Sequence, residues 1–300
     1  MGVAAIVIWS CNIGVSRSLA ESVGALTSGA VMFLVGGCLG CAYVALVERR
    51  LTAMLRLPSR YLFGGGAIFA AYMVCLYLAI GLSATRQQTL EVAILNYLWP
   101  SMTLVLAIPL LGVRARAGLP FGLALALVGA AMAPLRLGDW SASALAANLR
   151  LHPVPYVLAF LAAVLWSLYS NLSRRWAAHA EGGAVPLFSL GAGVVLLALR
   201  PWFPEPSHWS PRAVAELLFM ALLPSLLAYS MWDRAVRRGN VTLVAALSYA
   251  IPVLSTIVSC LYLRVSVGWN VWAASALIVA GAVICQRSID PVRPATRQQP

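Results

Sequence analysis

Long apolar runs alternate with short clusters of Arg, Pro and Gly along the whole chain, and the alternation predicts ten membrane-crossing helices. The runs cover residues 1–16, 25–47, 61–82, 88–112, 118–135, 154–173, 184–200, 213–235, 241–263 and 268–286. Most approach or exceed the ~20 apolar residues that a helix needs to cross a bilayer. The first run has no basic leader and carries Trp9 and Asn12, which argues for a retained helix rather than a cleaved signal peptide. In the fourth, EVAILNYLWPSMT (Glu91–Thr103) interrupts the apolar pattern with Glu91, Asn96, Tyr97, Trp99 and Pro100. Polar and helix-breaking groups inside a span are costly, so this density points to a built site.

The polar pattern repeats. VIWSCNIGVSR (Val7–Arg17) lines up with VLWSLYSNLSR (Val164–Arg174), and AILNYLWP (Ala93–Pro100) with AALSYAIP (Ala245–Pro252). The second register also sets Tyr77 against Tyr229 and Gly129 against Gly281. Five spans per half is an odd number, so the second copy enters the membrane upside down. The expected fold is therefore an all-α polytopic membrane protein of ten helices, two inverted five-helix repeats around a central cavity near the midplane. Residues 1–135 form the first repeat, 136–153 an extracytoplasmic connecting loop, 154–288 the second repeat and 289–300 a cytoplasmic tail. With both termini inside, 14 of the 21 arginines fall on the cytoplasmic side, as the positive-inside rule requires.

Composition agrees: 61% of residues are hydrophobic, 10% are charged and the mean hydropathy is +0.86. The net charge of +12 comes from arginines scattered singly and in pairs, with no lysine and no basic tract, so it does not describe a nucleic-acid surface. The six cysteines sit in or beside apolar runs as packing residues. Cys38 and Cys41 form a C-x-x-C in mid-helix without a second ligand pair, so no metal site is expected. His152, His179 and His208 all fall in connecting segments. No acid–base or nucleophile set converges within the membrane, so neither an enzyme nor a cofactor is expected.

Residues at i, i+3, i+4 and i+7 share a helix face. The first helix presents Trp9, Asn12, Ile13 and Ser16; the sixth presents Trp166, Tyr169, Ser170 and Ser173. Asn96, Pro100 and Thr103 line up on the fourth beside Trp99, and Ser248, Pro252, Ser255 and Ser259 on the ninth, beside Tyr249. Serines on such stripes also serve as glue between helices. Pro100 and Pro252 each remove a backbone donor and are expected to kink or open their helices, as paired gating elements. Glu91 fits three roles equally well: a proton site, a substrate-ammonium site, or a charge that favours a helix N-terminus.

The stretch NYLWP (Asn96–Pro100) preceded by Glu91, with TLVAALSYAIPVLST (Thr242–Thr256), resembles the drug/metabolite transporter superfamily of EamA type over essentially the whole chain. The resemblance implies a basket of ten helices in a bacterial inner membrane. It also implies export of aromatic and other neutral amino acids (tryptophan, phenylalanine, tyrosine, threonine) by alternating access. On that reading Trp9, Tyr77, Tyr97, Trp99, Trp166 and Tyr249 would offer rings to an aromatic side chain, and Asn12, Asn96 and Ser248 hydrogen bonds to its amino and carboxylate groups. The partners are then a small amino acid and the lipid bilayer, and the protein a monomer. Another small metabolite, a cationic drug or a nucleotide sugar is the alternative cargo.

Overall fold

The computed structural model describes residues 1–10, 13–84, 86–132, 149–251, 253–254, 257–258 and 269–290. The first half contains α1 (Gly2–Ser10), α2 (Ile13–Ser22), α3 (Ala25–Leu46), α4 (Leu51–Leu55), α5 (Gly66–Gly81), α6 (Arg86–Asn96), α7 (Trp99–Leu111) and α8 (Gly118–Met132). The second contains α9 (Val154–Ala177), α10 (Val185–Leu199), α11 (Pro211–Met220), α12 (Tyr229–Arg238), α13 (Val241–Leu247) and α14 (Trp269–Arg287). π-helical turns lead into α5 (Arg60–Gly65) and join α11 to α12 (Ala221–Ala228). Pro224, which has no N–H to give, lies inside the second of these. Among the described residues the only strand pairing is a two-residue antiparallel ladder, β1 (Arg114–Ala115) with β2 (Ile289–Asp290).

Five continuous helices are long and apolar enough to cross a membrane: Ala25–Leu46, Arg60–Gly81, Val154–Ala177, Val185–Trp202 and Pro211–Arg238. They match the second, third, sixth, seventh and eighth predicted spans. Trp99–Leu111, Gly118–Gly129 and Trp272–Arg287 are shorter apolar helices within the fourth, fifth and tenth. Large apolar side chains such as Phe63, Phe121 and Trp272 are exposed on the bundle's outside, as a lipid solvent allows. The sixth helix runs past its predicted end because Arg174 and Arg175 suit the negative end of a helix dipole. Ser210 starts the eighth by accepting a hydrogen bond from the Ala213 N–H at 3.1 Å, with Pro211 in the first turn.

The fourth predicted span is two helices. Pro100 cannot donate to the Asn96 carbonyl, so regular helix stops at Asn96 and resumes at Trp99. Across the break the Leu98 N–H reaches back only three residues, to Leu95. The ninth span breaks at the equivalent place: α13 ends at Leu247, and the N–H groups of Tyr249 and Ile251 reach back three residues, to Ala246 and Ser248. Pro252 itself lies outside the described residues, as do Asn12, Ser255, Ser259, most of the 136–153 loop and nearly all of the 289–300 tail.

Two helix pairs meet through glycine, and both contacts are reciprocal. A Cβ on Gly37 of α3 would lie 2.8 Å from the Leu190 nitrogen and 2.9 Å from the Pro186 oxygen of α10. One on Gly193 of α10 would lie 2.8 Å from the Leu34 nitrogen and 3.1 Å from the Ala30 oxygen of α3. A shift of 156 residues carries Ala30, Leu34 and Gly37 onto Pro186, Leu190 and Gly193. The pair α8–α14 does the same at a shift of 152. Gly129 faces the Ala274 oxygen and Ile278, while Gly281 faces the Gly122 oxygen and the Ala126 nitrogen. Small residues let these backbones touch, which is how helices gain packing energy where the surroundings are as apolar as they are.

Candidate functional site

α9 is the most enclosed of the long helices and carries the centre of the site. Its Trp166, 2% exposed, meets seven other rings with centroids 4.8–6.3 Å away. Trp9 comes from α1 at 5.8 Å, Trp99 from α7 at 6.3 Å and Tyr72 from α5 at 4.8 Å. Tyr229 and Trp232, both from α12, approach to 5.5 and 5.9 Å. Most of these pairs are tilted or edge-to-face, the arrangements the ring quadrupole favours. The helix break places Trp99: it is the first residue of α7, and the Ser167 hydroxyl of α9 donates to its carbonyl at 2.9 Å. One turn on, Asn171 donates to the Thr103 carbonyl at 3.0 Å, so α7 and α9 run parallel in a fixed register.

The polar atoms in this cluster are incompletely used. Trp232 donates to the Ser170 hydroxyl at 3.2 Å. Trp9 Nε1, by contrast, is buried without a partner, and so is Asn96 Oδ1, while the Asn96 amide hydrogens serve the Tyr72 hydroxyl. The hydroxyls of Tyr77 and Tyr229 donate only to thioethers, Met32 Sδ and Met73 Sδ, each at 3.8 Å. Sulfur is a weak acceptor. Three donors (Trp9, Tyr77, Tyr229) and one acceptor (Asn96) are thus unmatched or poorly matched beside a wall of rings. Such an arrangement offers hydrogen bonds to an anionic group and a cationic one on a molecule with an apolar or aromatic body.

The sequence-predicted residues divide into groups. Trp9, Trp99 and Trp166 come together directly. Asn96 joins through Tyr72, and Tyr77 through Phe33, whose ring lies 5.9 Å from Tyr77 and 6.0 Å from Tyr229. Tyr97 is half-buried at the break, against the same core. Ser248 and Tyr249 are elsewhere. The Ser248 hydroxyl donates to its own helix at Val244 (2.8 Å), and Tyr249 packs with Ala126, Ala274 and Ile278 of α8 and α14 while its hydroxyl pairs with Ser101. Glu91 is buried in the middle of α6 and accepts a hydrogen bond from Tyr156 of α9, in a smaller cluster with Val92 and Ala159. Tyr72 and Trp232 were not singled out from the sequence. Trp232 had a readable signal, since Tyr229, Trp232, Asp233, Val236 and Arg237 follow the i, i+3, i+4, i+7, i+8 spacing of one helix face.

Comparison with known proteins matches residues 154–286 to the EamA-like transporter family. The chain is 32% identical to the aromatic amino acid exporter YddG of Salmonella typhimurium and 30% identical to that of Escherichia coli, with 95% of each chain covered. It is 33% identical to YddG of Ancylobacter novellus, again over 95% of both chains. A crystal structure of 28% identity superposes with a TM-score of 0.80 over 95% of this chain and 96% of the other.

Proposed function

The chain belongs to the EamA-like transporter family of the drug/metabolite transporter superfamily, and from that premise we propose that it exports aromatic and other neutral amino acids across the bacterial inner membrane by alternating access. The observation that carries the substrate class is the Trp166 ring cluster with its unmatched polar atoms. An aromatic side chain replaces ring–ring contacts that the cluster already makes with itself. The Trp9 N–H and the tyrosine hydroxyls then serve the carboxylate, and Asn96 Oδ1 serves the ammonium group. No net charge is needed in such a site for a zwitterion, and the apolar wall tolerates side chains of several sizes, so selectivity is broad.

In this reading the two halves form an inverted repeat, which supports alternating access. Both glycine-mediated helix pairs are reciprocal under one chain shift each, and the fourth and ninth spans break at matching positions. Two copies of one unit that face each other across an axis in the membrane plane rock between equivalent arrangements. In this reading Ser248 and Tyr249, together with Pro100 and Pro252, belong to the hinge. On the same reading both termini face the cytoplasm; the C-terminal placement is supported by the β1–β2 ladder, which joins the segment after the fourth span to the segment after the tenth, both of which carry arginines.

The test is flux. Purified protein in liposomes is expected to accelerate counterflow of labelled tryptophan, with phenylalanine, tyrosine and threonine competing, and Trp99→Ala is expected to suppress it. Absence of flux for every neutral amino acid, or competition by a nucleotide sugar instead, would sink the assignment.

A further inference from the structure

Two polar clusters lie at opposite ends of the helix bundle, and each ties one half of the chain to the other. At the arginine-rich end, Asp233 of α12 is 1% exposed and its carboxylate is fully engaged. Tyr61, from the first half, donates to Oδ2 at 2.9 Å, Tyr169 of α9 donates to Oδ1 at 2.9 Å, and Arg237 Nε donates to Oδ2 at 2.7 Å. Arg237 also reaches the Ala177 and Ala180 carbonyls, and the Ala184 N–H donates to the Tyr61 hydroxyl, so the loop after α9 is drawn into the same clasp. Replacing such a buried ion pair by packed apolar side chains is often neutral or stabilising, so stability alone does not account for it.

At the other end Glu205, from the second half, accepts from the Leu26 N–H (2.6 Å), the Thr27 N–H (2.9 Å) and the Thr27 hydroxyl (2.8 Å) at the start of α3. Arg200 completes it at 3.2 Å. Gly24 turns the chain there at φ +94°, and any Cβ at that position would collide with the Glu205 side chain. A single helical stretch spans both clusters. Tyr61 lies in its first turn, and Gly81, its last residue, would put a Cβ 3.9 Å from Glu205 Oε1. That stretch is about 30 Å long, the thickness of a bilayer's apolar core. The ring cluster lies between, and Tyr169 belongs to both regions: its hydroxyl is on Asp233 while its ring stacks on Trp166 at 5.3 Å and 28°.

We propose that the Asp233 and Glu205 clusters are the two gates of the carrier, closed together here in an occluded arrangement, and that Tyr169 links the ring site to the Asp233 gate. This rests on the transporter reading above. A solute among the rings leaves only through one end, and at each end the clasp that joins the halves must open first. Rocking of the halves opens one clasp while it tightens the other. A ring bound against Trp166 displaces Tyr169 and with it one of the hydrogen bonds that hold Asp233.

Amide hydrogen exchange on the full chain in lipid nanodiscs tests the gates without using flux. Asp233→Asn, or Tyr61→Phe which leaves the ion pair intact, is expected to speed exchange in residues 178–184 by about tenfold, the value of a hydrogen bond to a charged group. The same variants are expected to slow exchange in residues 24–28. Glu205→Gln, or the milder Thr27→Val, is expected to do the reverse, and Tyr169→Phe to act like Tyr61→Phe. Faster exchange at both ends, or at the altered end alone, overturns the proposal, because a structural contact loosens only its own surroundings. Failure of tryptophan flux in liposomes would strike the substrate assignment and leave this reciprocal readout to be judged separately.

Discussion

At the scale of single residues, the unpartnered groups are more informative than the packed ones. Trp9 Nε1 and Asn96 Oδ1 are buried polar atoms without a protein partner, which costs free energy unless something else satisfies them during the working cycle. Trp9→Phe keeps a ring and removes only the N–H. It is expected to raise the half-saturation concentration for tryptophan about tenfold with turnover little changed, as a lost hydrogen bond to a carboxylate does. Trp166→Ala removes the ring around which seven others pack and is expected to cost about 3–5 kcal/mol, read as a lower melting temperature together with lost flux. Tyr249→Phe is expected to leave substrate affinity unchanged, because its ring packs against α8 and α14 and its hydroxyl is spent on Ser101.

Elements explain how those residues meet. Pro100 breaks the fourth span at Tyr97–Leu98, and the break lets Trp99 begin a new helix that points into the ring cluster. Pro100→Ala restores the missing N–H and is expected to anneal α6 to α7. The expected outcome is a higher melting temperature with slower counterflow, since the hinge has been stiffened. The opposite sign is expected where helices touch through glycine. A side chain at Gly281 would start 2.6 Å from the Ala126 nitrogen, a distance that real Cβ atoms do not tolerate, so Gly281→Leu pushes α8 and α14 apart and lowers the melting temperature. Thermal unfolding in detergent checks both.

For the whole molecule, the proposed scheme joins the two end clusters to the ring-lined centre: a bundle clasped at both ends around the Trp166 rings. Its orientation is a separate prediction. A reporter that is active only in the cytoplasm is expected to be active when fused after Arg116 or at the C-terminus, and inactive when inserted near Ser207. The first two positions share an end through the β1–β2 ladder, and Ser207 lies by the opposite cluster. Activity at Ser207 with silence at the other two would invert the topology.

Much of this architecture was legible in the sequence, because spans are set by runs of apolar residues and breaks by the missing N–H of proline, both local properties of the chain. The internal matches were equally legible, since stretches such as NYLWP and SYAIP need no partner to be recognised, and the inverted repeat proposed from them rests on that pattern. The placement of Trp166 at the centre, the recruitment of Tyr72 and Trp232, and the departure of Tyr249 to another helix pair depended on tertiary packing. In a helix that is apolar all round, periodicity does not say which face meets protein and which meets lipid. Nor did Asp233 and Glu205 announce their partners in the other half of the chain, Tyr61 at 172 residues and Leu26 and Thr27 at 179 and 178 residues. The sequence alone determined the apolar helices and the breaks within them; only the tertiary structure decided which rings cluster around Trp166 and which charges meet at the ends of the bundle, because those contacts join segments that no local pattern connects.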